Sequence, residues 1–455
     1  MRVELDIPLH LDEIVKTVNA RKDYKKRLDR IIRAITTDTR ECQEGDLFIA
    51  LKGECDSGER YVSEALSKQC SVISAIEQNG AICVDDTNDT LLQIAKLYKS
   101  KLSLKSTVAI TGSVGKSTTV KFVSRILTQK YKVHSPSGNF NNHLGVPLTV
   151  LGAKSDTEIL VSELGMNHIG EISKLSKCIE PDIGVITGIG TAHIGNLGSR
   201  EGIAAAKSEI LDGIKNGSIL IPYGEPLLQG LKKSLSVGRN TSLSDFALSN
   251  IGSSYTFNSA IKSIDNLKFF DSREHLLVDL CFAIAVSVLL GLSESEIQNG
   301  VVSISENDLR QKFITLRDFT IFDDSYNASL ESIRADLIYI SKHRSLSSAL
   351  LGDVLELGDN ATMIHESIGR IAAGVKLNKL YLYGQYAHDV ARGAISAGME
   401  KSNIFINDSI PSPEISAKHI LDNHTQGEII LFKGSHNLHL NKIIDIIMQD
   451  ERIRK

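Results

Sequence analysis

Seven consecutive residues have the composition of a phosphate-binding loop: Thr111-Gly112-Ser113-Val114-Gly115-Lys116-Ser117. Glycines allow the backbone N–H groups of such a loop to point at phosphate oxygens. The Lys116 side chain can reach the terminal phosphates of a nucleotide, and the Ser117 hydroxyl can ligate Mg²⁺. A full P-loop has glycine where this chain has Ile110, so the loop alone indicates a phosphate site and no more.

Glu163 and His193 each follow a predicted strand, Ile159–Ser162 and Ile183–Ile186 respectively. The carboxyl ends of parallel strands line the ligand crevice of an open α/β sheet, and Mg²⁺ prefers oxygen ligands. A metal-binding role for Glu163 therefore stands beside that of a solvated loop carboxylate. His193 has the same two possible roles, that of a metal ligand and that of an ordinary structural histidine. Lys207, inside a helical run, is typical of a solvated surface lysine on these grounds alone.

The hydrophobic pattern predicts the elements that position these side chains. Thr107–Ile110 predicts a buried strand and Ser117–Lys130 an amphipathic helix, so the loop lies before a helix N-terminus, as phosphate binding requires. The alternation of strands and helices indicates a parallel sheet covered on both faces. The almost wholly apolar stretch Leu277–Leu290 predicts a helix buried in the same domain.

Residues on either side of this region predict two more domains. Before it, the strands Phe48–Leu51 and Ala81–Val84 and the helix Asn88–Ser100 predict a mixed α/β unit. After it, strands from Thr320–Phe322 to Ile429–Phe432 alternate with helices, as in a doubly wound, Rossmann-like domain. We therefore predict an α/β protein of three domains, over residues 1–104, 105–309 and 310–455.

Composition and charge exclude several classes of protein. The net charge of -4 and the pI near 6.4 argue against a dedicated nucleic-acid binder. The N-terminus lacks the apolar core of a signal peptide, and no apolar run approaches the ~20 residues that span a bilayer. The six cysteines are scattered without zinc-ligand spacing, as free thiols in a reducing cytosol are. We predict a cytoplasmic protein without a nucleic-acid or membrane partner.

Motifs from all three predicted domains form a more specific pattern than the loop. They are Thr37-Asp38-Thr39-Arg40 and Gly45–Gly53, then Thr111–Thr119, Gly138–Pro147 and Glu163–His168, then Asp323–Ala328, Leu351–Gly358 and Lys433-Gly434-Ser435. In these motifs, which cover essentially the whole chain, the protein resembles the Mur ligases of peptidoglycan synthesis. The shortened loop without glycine at position 110 is that family's own form.

The resemblance implies roles for individual residues. ATP is expected to contact Gly112, Ser113, Val114, Gly115, Lys116, Ser117 and Thr118, with Arg310, Asp324, Tyr326 and Asn327 closing over it from the third domain. Two Mg²⁺ ions are expected at Ser117, Glu163, His193 and Lys207, the last if carbamylated, because a carbamate supplies anionic oxygen where an ammonium repels the cation. Catalytic roles are implied for Lys116, Lys207 and His193, and UDP-substrate contacts for Thr39, Arg40, Asn141 and Asn142.

The implied activity is ATP-dependent ligation of D-alanyl-D-alanine to UDP-N-acetylmuramoyl-tripeptide through an acyl phosphate, by a monomer. The third residue of the tripeptide, lysine or diaminopimelate, stays open, as do D-alanyl-D-lactate and D-alanyl-D-serine as the incoming group. Leu276 and Asp279 stand where the family has asparagines, and Ser329-Leu330 where it has Asn-Pro. A sibling ligase with another amine substrate, and a ligase-fold ATPase without ligation, are therefore the alternatives.

Overall fold

The computed structural model describes residues 1–21, 29–53, 57–343, 346–407 and 412–453. Within these residues the strands form three sheets, of five, nine and six strands, each built from consecutive strands of the chain. The predicted α/β class is confirmed. Each sheet lies within one of the three predicted domains, which supports the boundaries at 104 and 309 as a proposal.

The first sheet begins at the N-terminus and is mixed. Its spatial order is β1 (Arg2–His10), β2 (Ile31–Thr36), β3 (Leu47–Ile49), β4 (Ser71–Ser74) and β5 (Ile82–Cys83). β1 is antiparallel to β2, and the other neighbours are parallel. The helices of this part are α1 (Leu11–Thr17), α2 (Val62–Ser67) and α3 (Thr87–Lys101). β3, β5 and α3 correspond to the predicted strands and helix of this region.

α3 joins the first sheet to the central part of the molecule. The Asp86 side chain accepts hydrogen bonds from N–H groups of its first turn and so caps the helix. Its apolar face, with Leu91 and Ile94, lies in a hydrophobic core that also contains residues of the central sheet. The Tyr98 hydroxyl donates a hydrogen bond of 2.7 Å to the Ala153 carbonyl oxygen across this contact. The first and central parts therefore share one continuous core.

The central sheet is larger than the sequence pattern predicts. Its strands are β6 (Ser106–Thr111), β7 (Val133–His134), β8 (Ile159–Glu163), β9 (Ile183–Ile186), β10 (Ser218–Pro222), β11 (Ser234–Arg239), β12 (Phe246–Ile251), β13 (Ser254–Ser259) and β14 (Ser263–Leu267). Their order across the sheet is β14-β13-β12-β11-β10-β9-β6-β8-β7. Neighbours from β7 to β12 are parallel, as predicted. β13 and β14 add an antiparallel edge that was not predicted.

Seven helices accompany the central sheet in the described part of the chain: α4 (Lys116–Leu127), α5 (Gly145–Leu151), α6 (Glu171–Ile179), α7 (Ile194–Leu197), α8 (Arg200–Ser208), α9 (Glu274–Leu289) and α10 (Glu294–Ser303). α9 packs against α4 and is buried over nearly its whole circumference, which confirms the predicted buried helix. No helix among the described residues is long and apolar enough to cross a membrane.

The third sheet has the predicted doubly wound form, with one antiparallel edge strand. Its strands are β15 (Lys312–Thr315), β16 (Thr320–Asp323), β17 (Ser347–Gly352), β18 (Leu380–Tyr383), β19 (Ile404–Asn407) and β20 (Ile429–Lys433). The order is β15-β16-β20-β17-β18-β19, and only β15 runs antiparallel to its neighbour among these described strands. The helices α11 (Leu330–His343), α12 (Ala361–Gly374), α13 (Ala387–Ser396), α14 (Pro413–Asn423) and α15 (Asn441–Gln449) complete this part.

The order of the central strands brings several of the candidate residues to one edge of the sheet. β6 lies between β8 and β9, so the chain leaves β6 and returns on both sides of it. Ile110 is in register with Glu163 on one side and with Val185 on the other. The loop after β6, Glu163 and the segment leading to His193 therefore meet at one edge of the sheet, where open α/β sheets bind ligands.

Candidate active site

The loop from Thr111 to Ser117 connects β6 directly to α4, whose first residue is Lys116. Gly115 has a φ of 84°, in the left-handed region, and a Cβ there would collide with the Asp279 carboxyl group. The hydroxyl oxygens of Thr111 and Ser113 are buried without a hydrogen-bond partner among the described residues. Buried polar atoms of this kind fit a loop whose partner is a bound ligand.

A buried carboxylate holds the loop to the neighbouring strand. Glu163, the last residue of β8, is 3% exposed. Its Oε2 accepts a hydrogen bond of 2.6 Å from Ser117 Oγ, and its Oε1 accepts one of 2.8 Å from Asn141 Nδ2. Arg310 Nη2 donates a hydrogen bond of 2.7 Å to the same Ser117 oxygen. The structure therefore brings four predicted site residues into one cluster.

Two lysines lie beside this cluster. Lys116 Nζ donates a hydrogen bond of 2.8 Å to the Gly112 carbonyl oxygen, within the loop itself. Lys207, on α8, is 2% exposed, so it is not the solvated surface lysine that its local sequence suggests. Burial, with a further contribution from the Lys116 charge, lowers the Lys207 pKa well below the usual value. Burial also lowers the pKa of Lys116, although Glu163 partly offsets it.

His193 lies on the same edge but contacts the third part of the chain. It stands directly before α7 with a φ of 65°, an uncommon conformation for a residue other than glycine. Its Nδ1 atom meets Glu356 Oε2, which lies in the loop after β17. This close contact with His193 lowers the Glu356 pKa. Glu356 lies in the motif Leu351–Gly358, but the sequence gave it no role, because its partner is far away in the chain.

The other third-domain candidates lie around Arg310. Its guanidinium group stacks on the Tyr326 ring, with the central carbon 4.1 Å from the ring centroid. Asp324 forms an ion pair with Lys433, a residue to which the sequence pattern gave no role. Asn327 Oδ1 accepts a hydrogen bond of 2.9 Å from the Ala328 N–H, so this side chain orders its own turn.

Asp324 and Lys433 belong to a larger buried network. Lys433 Nζ also meets Asp336 Oδ2, at 2.9 Å, and Gln311 Nε2 donates hydrogen bonds of 3.1 Å to both aspartates. Burial opposes the charged form of Lys433, yet the two aspartates raise its pKa above the usual value. Gln311 in turn accepts a hydrogen bond from Arg273, at the start of α9. The network thus links the central helix α9 to the third sheet.

The four predicted UDP-substrate residues fall into two groups. Asn141 belongs to the Glu163 cluster, while Asn142 Oδ1 accepts hydrogen bonds of 3.1 and 2.9 Å from the N–H groups of Leu144 and Gly145 at the start of α5. Thr39 is buried in the first part, where its hydroxyl donates a 3.1 Å hydrogen bond to Glu64. Arg40 is exposed and paired with Asp38. The contacts described for Thr39 and Arg40 do not join them to the Glu163 cluster.

The oxygen donors of the cluster suit a hard cation. Among the described residues, no group of three or more His, Cys, Asp or Glu side chains is arranged to hold a metal. Mg²⁺ does not need such a group, since it keeps several waters and is usually bound by one or two carboxylates together with substrate phosphates. The Ser117 hydroxyl and the Glu163 carboxylate, 2.6 Å apart, fit that pattern.

The residues that depart from the family pattern have structural partners. Leu276 is buried in the core against α4, and Ser329 accepts a hydrogen bond of 3.2 Å from the Ser332 N–H at the start of α11. Asp279, 5% exposed, lies directly beneath Gly115 and accepts a hydrogen bond of 3.1 Å from Thr119 Oγ1. Burial raises the Asp279 pKa well above the usual value. This side chain lies under the phosphate loop, and its burial favours the neutral form of the carboxyl group.

Known proteins resemble this chain over most of its length. A family model described as the Mur ligase middle domain matches residues 110–274. The UDP-N-acetylmuramoyl-tripeptide--D-alanyl-D-alanine ligase of Bacillus subtilis is 34% identical over 97% of this chain and 98% of its own. The Rickettsia prowazekii protein of the same name is 29% identical over 90% and 93% of the two chains.

Solved structures agree with these relatives. The crystal structure of MurF from Acinetobacter baumannii superposes with a TM-score of 0.87 and 26% identity, covering 98% of this chain and 100% of that one. MurF ligase from Thermotoga maritima in complex with ADP gives a TM-score of 0.78 at 24% identity, over 91% and 96% of the two chains. The latter likeness is one of fold.

Replacing Asp279 with asparagine tests whether this carboxyl group is neutral in the folded protein. A carboxyl group whose pKa is raised by folding stabilises the folded state at low pH, and that stability is lost as the pH rises towards the raised pKa. Between the ordinary aspartate pKa and the raised one, the wild type should lose up to about 1.4 kcal/mol per pH unit relative to Asp279→Asn. Thermal unfolding midpoints of the two proteins from pH 5 to pH 8 should therefore diverge, with the variant the more stable.

Asp308 offers a control of opposite sign. Burial acts to raise its pKa, but hydrogen bonds from the Ser305 backbone and from Arg125 outweigh burial and lower it. Asp308→Asn should therefore destabilise the protein at neutral pH. A pH-independent difference between Asp279→Asn and the wild type would show that Asp279 is ionised in the folded state.

Proposed function

This chain belongs to the Mur ligase family, and on that basis we propose that it joins D-alanyl-D-alanine to UDP-N-acetylmuramoyl-tripeptide at the expense of ATP. Its relatives from Bacillus subtilis and Rickettsia prowazekii are named for this reaction. ATP as the nucleotide is supported by the phosphate loop, and by the ADP that the similarly folded Thermotoga maritima ligase binds. The enzyme works in the cytoplasm, as a monomer.

One observation carries the proposal for the site: Arg310 donates to Ser117 Oγ, which itself donates to Glu163. A guanidinium group from the start of the third part thus reaches a hydroxyl of the phosphate loop. Phosphoryl transfer depends mainly on positioning and on neutralising charge that spreads over phosphate oxygens. Lys116 and Arg310 both hold positive charge against this loop.

Membership of the family implies the reaction that we propose. An oxygen of the terminal tripeptide carboxylate attacks the γ-phosphorus of ATP. The bond between this phosphorus and the β-phosphate oxygen breaks, so that ADP is released and the tripeptide becomes an acyl phosphate. The amine of D-alanyl-D-alanine then attacks the acyl carbon, loses a proton, and expels inorganic phosphate as the amide bond forms. Lys116 and the N–H groups of the loop hold the phosphates throughout.

Four residues are proposed to bind Mg²⁺ in this site: Ser117, Glu163, His193 and, if it carries a carbamate, Lys207. Two bound ions supply neutralisation of phosphate charge. Burial favours the neutral amine of Lys207, and a neutral amine is the form that reacts with carbon dioxide. The UDP-linked substrate is proposed to contact Thr39, Arg40, Asn141 and Asn142. ATP is proposed to contact Asp324, Tyr326 and Asn327.

Phosphate release from ATP tests the proposed reaction against its alternatives. The wild type is incubated with ATP and Mg²⁺, with lysine or diaminopimelate forms of the UDP-linked tripeptide, and with D-alanyl-D-alanine, D-alanyl-D-lactate or D-alanyl-D-serine. We expect release only when an acceptor tripeptide and D-alanyl-D-alanine are both present. Release without either substrate would identify an ATPase, and release with another amine a sibling ligase.

Lys116→Ala should lower the rate of this release by at least about 10²-fold, the loss typical when one preorganised charge-stabilising donor is removed. Lys132, exposed and paired with Asp156, provides the control, and Lys132→Ala should keep the wild-type rate. Circular dichroism checks that both variants are folded. A Lys116→Ala enzyme with a near-normal rate would contradict the proposed mechanism.

Lys207→Ala should also be inactive if a carbamate on this lysine is needed. Short carboxylic acids added to the assay should then restore part of the rate, because they can place an anionic oxygen in the space of the lost side chain. Intact-mass measurement under carbon dioxide, before and after acidification, follows the modification itself. Full activity of Lys207→Ala without added acid would exclude the carbamate role.

A further inference from the structure

Two loops from different sheets meet with almost no space between their backbones. The Gly195 N–H, in α7, donates a hydrogen bond of 2.9 Å to the Glu356 carbonyl oxygen. A Cβ on Gly195 would lie 2.5 Å from the Gly358 nitrogen and 2.8 Å from the Glu356 carbonyl oxygen. No side chain fits at position 195 while the loops stay in this arrangement. The third part of the chain is therefore docked at this point by direct backbone contact.

Next to this contact, the side chains of His193 and Glu356 face each other, and the backbone of both residues is in an uncommon conformation. His193 has a φ of 65° and Glu356 a φ of 63°, both in the left-handed region that residues with a Cβ rarely adopt. Such conformations cost of order 1–3 kcal/mol each, and they persist where the surroundings enforce them. Here they bring His193 Nδ1 against Glu356 Oε2.

The loop that carries Glu356 is fixed by its own domain. The Asp353 carboxylate accepts hydrogen bonds of 2.8 and 3.0 Å from the N–H groups of Gln385 and Tyr386. The Val354 N–H donates a 3.0 Å hydrogen bond to His365 Nε2, and the Leu355 N–H donates one of 3.0 Å to Ser435 Oγ. The backbone directly before Glu356 is therefore anchored to the third domain at three successive residues. We expect the position of Glu356 to follow the position of that domain.

We propose that Glu356 is a positioning residue that the third domain delivers to His193. The observed contact places its carboxylate against Nδ1, a buried atom with no other hydrogen-bond partner among the described residues. As the acceptor for the Nδ1–H, the carboxylate would fix the tautomer and the ring orientation and leave Nε2 as the metal-binding nitrogen. Histidine ligands of metals commonly donate their other ring N–H to a carboxylate in this way. The inference rests on the proposed function, because it takes His193 as a ligand of the Mg²⁺ used there. The metal site is then complete only when the third domain is docked, because docking brings Glu356 to His193.

A purely structural role for this pair predicts something different. The Glu356 side chain is 47% exposed, and a pair at that exposure contributes only about 0–1 kcal/mol to stability. Removing the carboxylate should therefore leave the fold intact. Glu331 allows docking to be separated from positioning, because it makes a second contact of the third domain with the same segment. It accepts a 3.2 Å hydrogen bond from Thr191 Oγ1, not from His193.

The test measures metal binding without ligation. Mn²⁺ replaces Mg²⁺, and its binding to the full-length protein in the presence of ADP is followed by electron paramagnetic resonance. Glu356→Ala should weaken Mn²⁺ binding ~10–100-fold, the usual effect of losing a carboxylate behind a histidine ligand. Glu356→Gln, whose carboxamide oxygen can still accept the Nδ1–H, should lose less. Glu331→Gln and the exposed neighbour variant Asp359→Asn should stay within about threefold of the wild type.

His193→Ala completes a double-mutant cycle. If Glu356 acts through His193, the double variant His193→Ala/Glu356→Ala binds Mn²⁺ no more weakly than His193→Ala alone. Wild-type affinity in Glu356→Ala, additive losses in the double variant, or an equal loss in Glu331→Gln would each overturn the proposal. Failure of the proposed ligation is a separate result, since phosphate release would then not require both substrates while the Mn²⁺ titrations stay readable.

Discussion

A carboxylate withdrawn from water at the end of a strand needs hydrogen-bond donors, and much of the central part is arranged to supply them to Glu163. Ser117 provides one from the phosphate loop, and Asn141 provides another from the asparagine-rich segment before α5. A backbone hydrogen bond reinforces the contact with Asn141, because the Gly165 N–H donates to the Asn141 carbonyl oxygen at 2.7 Å. Arg310 joins through Ser117. Loop, strand, asparagine segment and interdomain linker are thereby fixed relative to one carboxyl group.

Positive charge exceeds negative charge around this carboxylate. Lys116 and Arg310 lie beside it, and the Lys116 charge adds to burial in disfavouring the charged form of Lys207. Groups of like charge are brought together in a protein interior at a cost, which a polyanionic ligand and its cations can offset. The charges of the site thus suit a nucleotide triphosphate bound with metal, and they oppose a site that stays empty of anions.

The sequence predicted the parts of the fold and the site that depend on local pattern. Thr107–Ile110 became β6 and Leu277–Leu290 became α9, because continuous apolar runs are buried on every side. Glu163 was placed correctly since it directly follows such a run. Lys207 was not, because its burial depends on the packing of α8 rather than on neighbours in the chain.

Two kinds of feature left no local signal in the sequence. The first is the set of strands from β10 to β14, which are short and partly exposed, so that no strong hydrophobic alternation marks them. The second is contact between residues that are distant in the chain. Lys433 finds Asp324 and Asp336 across the third sheet, and Glu356 finds His193 across a domain interface. A motif can name such residues through resemblance, as Lys433-Gly434-Ser435 did, but it does not identify their partners.

The two junctions between the three parts differ in kind. At the first, α3 and the strands around it share one hydrophobic core with the central sheet, and Tyr98 bridges the two parts from within that core. At the second, the described contacts include hydrogen bonds and ion pairs such as Arg310 with Ser117 and Glu356 with His193. A shared apolar core opens cooperatively, whereas a half-exposed polar pair such as Glu356 with His193 contributes little to stability. Because the first two parts share a core, we expect residues 1–104 to unfold together with the central part, although they have a sheet of their own.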